Sequence, residues 1–207
     1  MKAIAIFAAF ALLVPGGRAA TEQFVSEPSP VITDPEAYAV YAAVLPHSVL
    51  QENHPEPIAI QLETFPGPTD CPRTELITDE WRAAVDDYRK QNAKTKFIRP
   101  GFSLGKAYSL IPWAELRQML TDEGYLSPDT PPSNALGPRV FSRFPGGAVV
   151  VLSAVGFNPD RTRAMVSVRR NCILKDGRVG CEEIHTVGLR KKNGRWDPSG
   201  IGCHGIA

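Results

Sequence analysis

The stretch that decides the fold is Ala164-Met165-Val166-Ser167-Val168-Arg169-Arg170-Asn171-Cys172, followed by Asp176-Gly177 and then Cys181-Glu182-Glu183-Ile184-His185-Thr186-Val187-Gly188-Leu189. Two alternating runs flank a dipeptide suited to the two-residue hairpin turn, in which both central residues take positive φ. A turn of that length sets Cys172 against Cys181, Arg170 against Glu183, Val168 against His185, Val166 against Val187 and Ala164 against Leu189. Charged and apolar groups then both find partners. The next turn, Asn193-Gly194, independently sets Arg190 against Asp197 and Lys191 against Trp196, so Trp196 joins Val187 and Leu189 on one face. With Asn158-Pro159-Asp160 marking a third turn, residues 148–201 read as a four-stranded antiparallel meander.

The same register bears on the four cysteines. Cys172 and Cys181 fall on a non-hydrogen-bonded pair, where Cα atoms stand roughly 4.5 Å apart, within disulfide reach. In the Asn193-Gly194 register Cys203 falls opposite Ile184, on the other face, which leaves it for Cys71. A metal reading is weaker, because no C-x-x-C pair occurs and Cys203-His204 is two ligands short of a site.

Upstream the chain reads as helical over about 33–138. Thr33 and Glu36 have capping-box spacing, Pro35 suits a first turn, and Tyr38, Tyr41, Ala42 and Leu45 form one stripe that Pro46 ends. Ile58 to Leu62 is a strand by its alternation. Thr78-Asp79 caps a second helix to about Asn92, with Trp81, Val85 and Tyr88 facing a core, and a short third helix begins at Pro112 with Trp113, Leu116 and Leu120. The fold class expected is α+β, with helices packed on one face of the meander.

At the other end, Lys2 precedes an uncharged apolar run from Ala3 to Val14, too short to span a bilayer. Pro15-Gly16-Gly17 breaks it, and Gly17-Arg18-Ala19 carries the small residues that a signal peptidase reads, predicting a signal peptide over 1–20 cleaved after Ala19 or Ala20. No membrane span is expected after cleavage. Residues 21–207 then form a single domain in an exported, periplasmic or extracellular protein, where disulfides persist. The formal net charge of +1 argues against a nucleic-acid binder. Its distribution is uneven, with nine Lys/Arg against seventeen Asp/Glu over 21–137 and twelve against five over 138–207. Complementary packing of the two parts explains this most simply. A sharper reading is a basic face of Arg139, Arg143, Arg161, Arg163, Arg169 and Arg178 that meets an anionic envelope component.

Tyr38-Ala39-Val40-Tyr41, Leu152-Ser153-Ala154-Val155-Gly156-Phe157-Asn158, Met165-Val166-Ser167-Val168 and Lys191-Lys192-Asn193-Gly194-Arg195-Trp196 together resemble an uncharacterised family of exported bacterial proteins with an N-terminal helical part and a C-terminal antiparallel meander. The resemblance implies export and that architecture. It brings no catalytic residues.

Motifs for chemistry are absent: no G-x-S-x-G elbow, no H-E-x-x-H, no phosphate loop and no dinucleotide fingerprint, so no cofactor or metal is expected. His47 and His54 lie in a Pro-rich connection and read as solvated. His185 is more informative, since Glu183 shares its strand face and a carboxylate beside an imidazole can transfer protons. A cross-strand ion pair with Arg170 explains the same residues without chemistry. Ser153 lacks a positioned base, and Asp86-Asp87 read as a solvated helix face. Trp81, Tyr88, Trp113 and Trp196 have core rather than groove spacing. The favoured function is an exported, non-enzymatic binding or interaction domain; the alternative is a small hydrolase or lyase using His185 and Glu183.

Overall fold

A computed structural model of the protein describes residues 29–48, 57–65, 77–105, 107–122, 143, 148–173 and 179–206. Helix α1 is Pro35–Ser48, α2 is Asp79–Gln91 and α3 is Trp113–Asp122. The strands are β1 Ile58–Gln61, β2 Tyr108–Ile111, β3 Ala148–Leu152, β4 Gly156–Phe157, β5 Arg163–Ile173, β6 Val179–Lys192 and β7 Arg195–Ile206. The class is α+β. The sheet, however, has seven strands rather than four and is mixed, in the order β2-β1-β3-β5-β6-β7 with β4 also on β5.

The antiparallel part follows the register read from the sequence: Ala164 faces Leu189, Val166 Val187, Val168 His185, Arg170 Glu183 and Cys172 Cys181. The ladder slips at Ile173, which faces Val179. The Asp176-Gly177 turn lies outside the described residues. At the next hairpin Asn193 and Gly194 both have positive φ, 51° and 77°, as the two-residue turn requires. Lys191 faces Trp196 there, but between Val187 and Leu189 the pairing slips by two residues. Cys203 therefore faces Thr186, not Ile184. An even slip keeps the strand's in-and-out alternation while moving every later residue along it.

The four-strand expectation fell short because β1 and β2 join by parallel pairing. Ile58 to Gln61 align with Tyr108 to Ile111, and Ala59 and Ile60 with Val149 and Val150. Parallel neighbours need long crossovers, so no tight turn announces them in sequence, and β2 is only four residues long.

Helices cover both faces of the sheet, another departure from expectation. On one face Val40, Tyr41, Val44 and Leu45 of α1 meet Ile58, Ile60, Val150, Leu152, Ala164, Val166, Val168, Leu189 and Trp196. On the other, Trp81, Val85 and Tyr88 of α2 meet Met165, while Leu116 of α3 meets Ala59, Ile111 and Val149. Strands buried on both faces explain why β3 reads as a continuous apolar run rather than an alternating one. The four aromatics proposed for the core are there, with Trp113 only partly covered.

Helix starts differ in detail. Asp34, not Thr33, caps α1: its Oδ1 accepts the Glu36 N–H at 3.0 Å. Thr78 holds the cap position of α2 with extended backbone but makes no side-chain cap bond. Pro46 does not end α1, which continues to Ser48. A proline in the last turn forfeits only its own N–H bond, so the helix closes within one turn of it.

Candidate functional site

A half-open cleft of about 670 Å³ lies where the extended segment 30–34, the start of α1, the outer face of α2 and the β3-to-β5 connection come together. Its apolar walls include Ala37, Ala83, Val155 and Phe157, and its charged groups are Asp34, Asp87, Lys96 and Arg161. That mixture and size suit a small molecule with one apolar side.

The floor is made by an interruption between β3 and β4. Asn92, at the end of α2, donates to the Ala154 carbonyl at 2.9 Å and accepts its N–H at 2.7 Å, so the Asn92 amide replaces the lost ladder bonds. Tyr41 donates to the Ser153 carbonyl from the other face at 2.9 Å. Ser153 Oγ accepts the Ser167 N–H at 2.7 Å, and Ser167 Oγ lies 2.7 Å from Tyr88 OH and 2.6 Å from Thr186 Oγ1. Ser153, just past the end of β3, is thus a fully buried core residue, as its apolar neighbours suggested.

One rim carries Arg161, whose backbone takes φ of 54°. A left-handed non-glycine residue costs roughly 1–2 kcal/mol. Its 2.7 Å ion pair with Asp34 is partly exposed on both sides. Such pairs yield about 0–1 kcal/mol, too little to offset the strain alone. The turn itself supplies the rest: Asn158 Oδ1 accepts the N–H groups of Thr162 at 2.9 Å and Arg163 at 2.8 Å. Asp160 accepts from the Thr162 hydroxyl at 2.8 Å, the main cause of its lowered pKa. The Arg161 guanidinium also stands 4.9 Å from the centre of the Phe157 ring.

Asp87 and Lys96 belong to the other side. Asp87 does more than sit on a solvated face, because its Oδ2 accepts the Phe157 N–H at 2.8 Å and ties α2 to β4. Lys96 Nζ donates to the neutral Gln91 side-chain oxygen. Burial pushes the Lys96 ammonium below its ordinary range, with nearby Asp87 opposing the shift. Sequence reasoning missed Lys96, since a lone lysine after a helix carries no spacing signal.

The residues singled out from sequence are dispersed. Arg161 pairs with Asp34, Arg163 with Glu80 at 3.1 Å and Arg143 with Glu115. Arg163 and Arg169 also stand over the rings of Trp81 and Phe65. Arg139, Arg178, Cys71 and His54 lie outside the described residues, and His47 is exposed. Glu183 and His185 do come together, with His185 Nε2 3.7 Å from Glu183 Oε2 and Arg170 Nη1 3.8 Å from that same oxygen. None of these three lines the cleft. Among the described residues no helix is long and apolar enough to cross a membrane. Compared with known protein families, curated proteins and solved structures, the chain matches none.

Proposed function

We propose that this is an exported binding domain, acting by recognition rather than catalysis, whose cleft takes a small molecule with an acidic group and an apolar body. The observation that carries this is Lys96, an ammonium drawn partly out of water in a ligand-sized cleft, with a neutral amide as its direct partner. An incoming carboxylate or phosphate restores the charge balance that burial has disturbed. Ala37, Ala83 and Val155 would cover its apolar part. The described cleft lining contains no Ser, Cys or His, so it offers no Ser–His or Cys–His pair for nucleophilic catalysis. The arginines expected to meet an anionic envelope component contribute less to this reading, since Arg143, Arg161 and Arg163 each face a carboxylate.

Titration of the mature protein with a panel of small carboxylic and phosphoric acids tests it. A binder should emerge whose affinity falls roughly 10–100-fold in Lys96→Gln, the worth of one charge-assisted hydrogen bond. Affinity unchanged by that substitution, or no binder in the panel, would remove the proposal.

The alternative of a small hydrolase or lyase draws support from Arg170, a third polar group beside Glu183 and His185. Its mark would be turnover of an ester or glycan panel that disappears in His185→Gln.

A further inference from the structure

We infer that the cleft takes its ligand as a strand: a short peptide with a free carboxyl terminus, laid antiparallel along the edge of residues 30–33 with its carboxylate on Lys96. This rests on the acid-binding reading of Lys96 given above and names the class of acid. Val31 pairs with Phe97 in a parallel bridge, in which the Phe97 N–H donates to the Pro30 carbonyl at 2.9 Å and the Ile32 N–H to the Phe97 carbonyl at 2.8 Å. The middle residue of such a bridge turns its own N–H and C=O the other way. Among the described residues no hydrogen bond engages these two groups of Val31, nor those of Thr33 two positions on. Bare main-chain groups in an extended segment are a template for strand addition.

That bare edge belongs to the cleft. Residues 30–34 line it without a gap, although the side chains of an extended segment alternate between faces. Ile32 is buried in the core, and the Val31 side chain, on the opposite face, is 46% exposed. Main chain, rather than one set of side chains, is therefore what this wall presents.

Direction follows from the bridge. Parallel alignment of Val31 with Phe97 places Lys96 beside Pro30, at the start of the edge. Lys96 is fixed there, since its N–H donates to Thr64 Oγ1 at 2.9 Å and its carbonyl accepts the Thr64 N–H at 2.8 Å. Gln91 takes one of the ammonium's three donors, leaving two for a carboxylate. A peptide whose carboxyl terminus meets Lys96 thus runs from the Thr33 end toward Pro30, antiparallel to the segment. In that arrangement Val31 exchanges both its main-chain bonds with one ligand residue, and Thr33 does so with the residue two before it. The edge stops at Asp34, whose side chain caps α1, so the added strand is short. Apolar side chains on alternate ligand residues would meet Ala37 and Val155.

Calorimetric titration of the mature protein with the tetrapeptide Ala-Val-Ala-Val tests this, beside its carboxyl-terminal amide, a set methylated in turn at each peptide nitrogen, and butyrate as a simple acid. The free-acid peptide should bind more tightly than butyrate, and amidation should cost roughly 10–100-fold. Methylation should weaken binding roughly 3–10-fold at every second nitrogen and less between them, the pattern of a strand pair. Val31→Pro removes only the outward N–H, because the bridge uses the groups of Pro30 and Ile32. It should weaken the peptide by a similar factor and leave butyrate unaffected. The methylation series uses the native chain, so it stays decisive where Val31→Pro fails to fold. Butyrate binding that depends on Lys96, with the peptide no tighter, would overturn the strand while leaving the acid site standing. Methylation effects without alternation would overturn the strand as well, and binding of neither probe would remove strand and acid site together.

Discussion

The cleft owes its floor to a few side chains that act where the backbone cannot. Gly156 shows how little room they leave. A Cβ built on it would stand 2.1 Å from the Tyr88 backbone nitrogen and 2.3 Å from its Cα, so the helix and strand touch main chain to main chain. Gly156→Ala must therefore push α2 away from the sheet, stretching the 2.8 Å bond from Phe157 N–H to Asp87 and the Asn92 contacts with Ala154. The expected loss is at least the roughly 1–3 kcal/mol of an overpacked core. Gly194→Ala is the fitting comparison. Its φ is 77° with open space around it, so only the left-handed strain of roughly 1–2 kcal/mol applies. Urea unfolding of both variants separates the two effects, and only Gly156→Ala should also disturb the cleft and weaken ligand binding. Equal stability losses with an intact cleft would show that the close approach relaxes easily.

At the scale of elements, α1 and α2 are gripped from opposite faces by consecutive residues of β6. Lys191 Nζ meets Glu36 at 2.7 Å, and Trp196 Nε1 donates to the same Oε1 at 2.6 Å. Arg190 and Arg163 both meet Glu80, and both guanidinium groups stand over Trp81, 5.7 and 5.6 Å from its ring centre. Each glutamate lies in the first turn of its helix, where the macrodipole favours negative charge. The Lys191 hydrogen bond is the main cause lowering the Glu36 pKa, and the Arg163 bond the main cause for Glu80. A depressed folded-state value means stability that is complete above the ordinary glutamate range and is lost as pH falls through the folded value. Acid titration of stability should thus be steep below about pH 4.5 in the native chain. It should flatten in Glu36→Gln, with unchanged curves in Glu36→Gln and Glu80→Gln refuting the role. Such grips explain what the sequence could and could not disclose. Local signals held: the Asn193-Gly194 turn fixed Lys191 against Trp196, and Trp81, Val85 and Tyr88 lie inward as their spacing required. Glu36 looked like a capping-box partner because its spacing from Thr33 was the only visible relation, while its real partners lie far along the chain. Lys96 and Asp87 come to line one cleft through tertiary packing alone. Of the residues singled out, Glu183 and His185 with Arg170, and Cys172 opposite Cys181, were set beside one another by a register readable in advance.

For the whole molecule, the question is how an open sheet keeps its edges from pairing with other chains. One edge is β2, only four residues long, but the other is β7, with twelve. A long edge strand is a template for association unless something blunts it. Two features of β7 do so. Counting from the Asn193-Gly194 turn, Lys192 with Arg195 is a hydrogen-bonded pair, so Leu189 with Pro198 is a non-hydrogen-bonded one. In such a pair the main-chain groups point away from the partner strand. The N–H that Pro198 lacks is therefore an outward one, and proline removes a donor from the free edge without cost to the ladder. Immediately beyond it comes the slip between Val187 and Leu189, which leaves residues 199–201 of β7 opposite Gly188 alone and bends the edge out of line. Pro198→Val restores the donor and adds a strand-favouring side chain, so it should promote self-association while leaving β6 paired as before. Sedimentation velocity over a concentration series measures this, with the variant expected to shift toward larger species at concentrations where the native chain does not. Identical sedimentation of the two would mean that Pro198 does not guard the edge and that the bend beyond it suffices.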